Sequence, residues 1–121
     1  MMRMSAKRNA MEVLFVEPCK PPRVIGIPRG LYPLQEAVGG PIEAIYPFDD
    51  PIVLICNEEA YFRALPYNRR VCPRCIIRGA FLVCSVNGEH FDSLPKEHIE
   101  KYKERFRWYS YSIEMSSYIR I

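Results

Sequence analysis

Apolar positions along the chain fall into short runs with strand or helix spacing, separated by proline, glycine and acidic turns. Residues 12–17 (EVLFVE) predict a first strand, stopped by Pro18 and the Pro21-Pro22 pair because proline cannot donate to a ladder. Residues 23–27 predict a short second strand, closed by Pro28 and Gly30. Leu31, Leu34 and Val38 then recur at helical spacing, with Pro33 suited to a first turn and Gly39-Gly40 as a stop, so a short helix is expected. Residues 42–48 (IEAIYPF) alternate, with Ile42, Ala44 and Tyr46 on one face. An Asp49-Asp50-Pro51 turn separates them from 52–56 (IVLIC), a fully buried strand, and the two runs predict a hairpin.

Residues 57–70 are polar and without clear period apart from Tyr61, Phe62 and Leu65, and are expected to form a long loop, a common place for function. Residues 76–86 (IIRGAFLVCSV) predict one more buried strand, with Gly79 marking a bulge or close backbone approach and Asn87-Gly88 a turn. Residues 95–107 are the clearest helix: Ile99, Tyr102, Phe106 and Tyr109 form an apolar stripe opposite lysines and glutamates. Tyr109, Tyr111, Ile113 and Met115 then alternate with polar neighbours, as a strand would, and are candidate interface residues for self-association or for gripping a partner by strand pairing. The expected fold is a single small α+β domain over residues 11–108. It has a mixed or antiparallel sheet of about five strands, one short helix and one longer one. A basic arm (1–10) precedes it and a strand-like extension (109–121) follows.

Charge sharpens this division. The formal net charge of +3 resides in Arg3, Lys7 and Arg8; without them basic and acidic residues are equal in number. Met11 is a second candidate start, since the hydrophobic pattern begins after it. A body with no net charge weighs against direct nucleic-acid binding, which draws on a basic stripe. No apolar run has the length of a membrane span, and the opening residues lack the apolar core of a secretory signal, so a cytoplasmic protein is expected.

Five cysteines without a secretion signal argue against a disulfide framework. Cys56 and Cys84 lie in apolar runs and read as buried free thiols. Cys72-Pro-Arg-Cys75 has the spacing of half a zinc site, but a structural zinc needs four ligands and no second C-x-x-C is present. Cys19, Cys84 or His90 would have to complete it. The word also fits a redox dithiol, though a β run follows it rather than the helix that would lower a thiol pKa. Cys72 and Cys75 are thus weak metal candidates, and no cofactor is expected.

Asn57-Glu58-Glu59 closes the buried strand. Adjacent carboxylates on an extended chain face opposite ways, which disfavours acid–base work and leaves a turn, or a binding site using both ends of the Asn57 amide. Asn68 and Arg69 offer an amide and a planar fork suited to phosphate or carboxylate, with Tyr46 as a possible companion. The alternative is an Arg69 that holds the loop. On the binding reading, loss of Arg69 would weaken binding more than folding. Neither His90 nor His98 has a nucleophile with an orienting third group nearby, and no phosphate-binding glycine motif occurs. The chain is therefore expected not to be an enzyme.

Residues 38–60 (VGGPIEAIYPFDDPIVLICNEEA), 65–69 (LPYNR) and 91–106 (FDSLPKEHIEKYKERF) resemble an uncharacterised domain family of unknown function common in phages, plasmids and integrated elements of Firmicutes. The opening EVLFVEP is similar to that family's first strand. RVCPRC stands where the family carries an acidic, glycine-containing insert, and the extension beyond Phe106 is peculiar to this chain. The resemblance implies a mobile-element protein that counteracts a host defence system by binding a defence effector protein, as an anti-CRISPR-type inhibitor does, in the cytoplasm of a bacterial host. The alternatives are a sponge for a nucleotide immune signal, formed between protomers of a homo-oligomer and lined by Arg69, Asn68 and Tyr46, and a metal- or nucleic-acid-binding regulatory module.

Overall fold

The computed structural model describes residues 10–108. Ten elements follow one another: β1 (Ala10–Val16), β2 (Arg23–Pro28), α1 (Leu31–Val38), β3 (Ile42–Ile45), β4 (Ile52–Asn57), β5 (Tyr67–Cys72), β6 (Cys75–Arg78), β7 (Phe81–Asn87), β8 (His90–Asp92) and α2 (Lys96–Arg105). Six strands form one antiparallel sheet in the order β2-β1-β7-β4-β3, with β8 pairing the far end of β7; β5 and β6 form a separate hairpin. The protein is a single small α+β domain, with the expected β3–β4 hairpin in register Ile42↔Asn57 to Ile45↔Leu54.

Alternation of side chains along the strands creates two cores, one on each face of the sheet. Met11, Val13, Val53, Ile55, Leu82 and Cys84 point to the face covered by α1, whose Leu34 joins their core and whose Val38 is also buried. Gly39 ends α1 in the left-handed conformation at φ 83°, the usual helix stop. Leu14, Val16, Ile52, Leu54, Cys56, Phe81 and Val83 point the other way, where α2 delivers Tyr102 and Phe106 and the β5–β6 hairpin delivers Val71 and Ile77. Phe106 meets Phe81 edge-on at 5.3 Å between ring centres, and Phe48 tilts against both Tyr102 and Phe106. The α2 stripe expected from Ile99, Tyr102 and Phe106 thus packs across the sheet.

The structure corrects the expected pattern between residues 57 and 92. The stretch expected as a loop to residue 70 contains β5, and the single strand expected over 76–86 is two strands in different sheets. Gly79 makes the transfer. Its φ of +76° is open to glycine, and Leu65 approaches so closely that an added Cβ would lie 2.8 Å from Leu65 Cδ1. β8 adds a strand that the sequence pattern missed, and β3 ends at Ile45, before Tyr46 and Phe48. Tyr109, Tyr111, Ile113 and Met115 lie outside the described residues. Among the described residues, no helix is long and apolar enough to cross a membrane.

Candidate functional site

The β5–β6 hairpin does not reach the edge of the sheet it covers. Between β6 and the β3–β4 pair runs an open groove of about 330 Å³, lined by Glu43 and Ile45 of β3, Cys56 and Asn57 of β4, Glu58, Ala60 and Tyr61, and all four residues of β6. Its volume is at the small end for ligand pockets. Exposed apolar side chains mark this region of the chain: Ile76 on β6, Tyr46 just past β3, and Tyr61 and Phe62, which are 83% and 91% exposed.

The segment carrying Tyr61 and Phe62 is held rigidly. Asn57 uses both ends of its buried amide: Nδ2 donates to Val38 O at 3.0 Å, and Oδ1 accepts from Glu59 N at 2.7 Å. The Glu58 amide donates to Pro41 O, Leu65 N to Ala60 O, and Arg63 Nη1 to Gly39 O. Ala64 closes the turn at a left-handed φ of 52°. Gly40 lies so close beneath that a Cβ there would come 3.0 Å from Asn57 Nδ2. A surface whose loop is already fixed loses little further entropy on binding, which is the advantage of preorganisation.

The sequence candidates divide between this groove and the interior. Asn57 and Glu58 line the groove, Asn57 as a clamp and Glu58 exposed; Glu59 is also exposed in the turn that follows, and Tyr46 is 60% exposed. Asn68 and Arg69 are the correction. Both are 1% exposed on β5, not displayed on a loop. A register shift between Tyr67 and Arg69 lets these neighbours both turn inward. Asn68 Nδ2 donates to Val16 O and Gly79 O. Arg69 donates to Phe106 O through both Nε and Nη2, to Lys20 O, to Glu17 O and to Asn68 Oδ1. These bonds tie β5 to the β1–β2 connection and to the end of α2.

Cys72 and Cys75 face each other in register across the two-residue turn of the hairpin. Burial, with Cys72 beside it, raises the Cys75 pKa; burial pushes Cys56 and Cys84 up to about 12. Raised thiols are poor thiolate donors, and no cluster of three or more His, Cys, Asp or Glu able to hold a metal occurs among the described residues. The groove offers the Glu43 and Glu58 carboxylates, one aromatic ring, Tyr61, apolar side chains and backbone. Glu43, Ile76 and Arg78 are not singled out by the sequence pattern, because their roles depend on the separate hairpin; the Asn57-Glu58 pair is the part of the groove that the sequence signals.

A search of curated proteins and a search of solved structures find no match to the chain. A family model does match, over residues 11–107, which spans β1 to the end of α2 and contains the groove, the Asn57 clamp and the Arg69 anchor. The chain belongs to the domain of unknown function family DUF3846.

Proposed function

We propose that this protein is a non-enzymatic binding module whose partner is another protein, held at the groove between β6 and the β3–β4 pair. The observation that carries this reading is the groove's mixture of groups. Exposed tyrosine and isoleucine line it beside two carboxylates, Glu43 and Glu58, and the one cation among the lining residues, Arg78, donates to Leu65 O. Aromatic residues on a fixed loop are the usual anchors of protein interfaces. An anionic nucleotide would meet two carboxylates there, and Asn68 and Arg69 are buried away from it, which weighs against the nucleotide-sponge reading.

The resemblance to domains carried by phages, plasmids and integrated elements supplies the setting. In that setting the partner is a host defence effector, and occupation of the effector is the means of inhibition, in the cytoplasm of a bacterial host. Affinity purification of the tagged chain from bacteria expressing defence systems, followed by native mass spectrometry, tests the reading. The expected result is a stoichiometric complex with a protein that is lost when Tyr61 and Phe62 are both replaced by serine. Recovery of a nucleotide-loaded homo-oligomer instead would sink it.

A further inference from the structure

The layer that covers the sheet on the α2 side ends one strand short. Glu43 and Ile45 stand opposite Cys56 and Leu54 in the β3–β4 register, so all four share the face on which Leu54 and Cys56 are buried. Leu54 is covered; Glu43, Ile45 and Cys56 form groove floor. The neighbouring wall is β6, which pairs only with β5 among the described residues and lines the groove along its whole length from Cys75 to Arg78. A strand with one side unpaired presents a row of backbone donors and acceptors, the template for strand addition.

We propose that the groove receives an extended segment of the partner protein, carrying a lysine or arginine, which adds to the free edge of β6 as a third strand and roofs Glu43 and Ile45. The proposal rests on reading the groove as a protein-binding site and specifies how that site is read. Backbone pairing along Cys75–Arg78 supplies affinity for any extended chain. Alternate side chains of the added strand point down onto Ile45 and Cys56, where apolar groups fit, or outward beside exposed Ile76. The carboxylates of Glu43 and Glu58 favour a basic residue in the incoming segment. Charge also selects among occupants. The chain's own alternating residues 109–116 (YSYSIEMS) carry a single charged residue, Glu114, which would add a carboxylate to carboxylates.

The test uses the full chain and random heptapeptides displayed on phage. Amide exchange of the 15N-labelled protein is then followed by NMR with and without the selected peptides. Enrichment of lysine or arginine, together with protection of those Cys75–Arg78 amides that are not bonded to β5, supports strand addition. Replacing Glu58, an exposed residue, by lysine should weaken the selected peptides roughly two- to fivefold while leaving the melting temperature unchanged. Four results overturn the proposal: no peptide selected at the groove, peptides that bind without protecting the β6 amides that face away from β5, those same amides already protected in the free monomer, or protection that appears only as the protein concentration rises. If a partner protein is captured while β6 stays unprotected, only the mode of recognition is wrong; if no partner is captured, the protein-binding reading falls with it.

Discussion

Each of the five N–H donors of the Arg69 guanidinium has an oxygen acceptor from the protein itself, and the residue is 1% exposed. It joins three elements at one point, so its removal would strip Phe106 O and Asn68 Oδ1 of buried donors and free the Glu17 and Lys20 carbonyls. Arg69→Ala should lower the unfolding free energy by roughly 3 kcal/mol or more, because several charged hydrogen bonds are lost at once. Arg69→Lys should recover less than half of that, a lysine being unable to reproduce the fork. Urea denaturation checks both, and a loss of under about 1 kcal/mol for the alanine variant would show that the anchor is redundant. Residues 67–72 (YNRRVC) show no period of two, so the pattern alone predicts a loop at Arg69. Two register irregularities on β5 erase that period, and the polar pair turns inward. Thiol chemistry can also be stated residue by residue. Exposed Cys19 should alkylate fastest, half-buried Cys72 and Cys75 more slowly, and buried Cys56 and Cys84, with pKa values near 12, only after unfolding. Mass spectrometry of timed iodoacetamide labelling would show the order; early modification of Cys84 would contradict the packing of β7.

At the scale of elements, α2 is fastened to the β3–β4 turn by one carboxylate. Asp50 Oδ2 accepts from Lys101 Nζ at 2.6 Å and from the Tyr102 hydroxyl at 2.7 Å, and His98 Nε2 stands 3.9 Å from Oδ1. The hydrogen bonds from Lys101 and Tyr102 hold the Asp50 carboxyl below its ordinary 3.8, while burial and the same carboxylate push the Tyr102 phenol up, so the phenol keeps its proton. A carboxyl depressed by folding stabilises the native state above its unfolded pKa and loses that contribution as the pH falls through the native one. Asp50→Asn should therefore lower the melting temperature at pH 7, and its deficit relative to the unaltered protein should begin to shrink as the pH falls below about 3.8 and close only below the lowered native pKa, where the folded carboxyl is also neutral. Thermal scans across that range decide it; a deficit that stays constant with pH would mean the carboxylate charge is irrelevant. The helix itself was legible, since Ile99, Tyr102 and Phe106 repeat at its period on a charged background. The latch was not, because Asp49-Asp50-Pro51 is fully accounted for as a turn until α2 is laid across it.

For the whole molecule, what could be read in advance was the number and character of the sheet's inner strands, each a long apolar run. What could not be read was which layer each run joins. Residues 76–86 are continuous in composition, and only Gly79, pressed against Leu65, moves the chain from the hairpin into the main sheet. The groove inherits that illegibility, since it exists only because β6 and β7 part company. The order β2-β1-β7-β4-β3 has a further consequence for how the protein comes into being. A ribosome delivers the β1–β2 and β3–β4 pairs early, yet neither can join the other until β7 emerges to lie between them. Synthesis thus runs ahead of assembly, and for a time the nascent chain carries two unmated edges and two half-built cores, a state prone to aggregation. A chain stopped at Arg78 should sediment as aggregate, while one continuing through α2 should remain in solution; a soluble, structured fragment ending at Arg78 would mean that the early hairpins need no keystone. The last inner strand to be made is the one on which the first four depend.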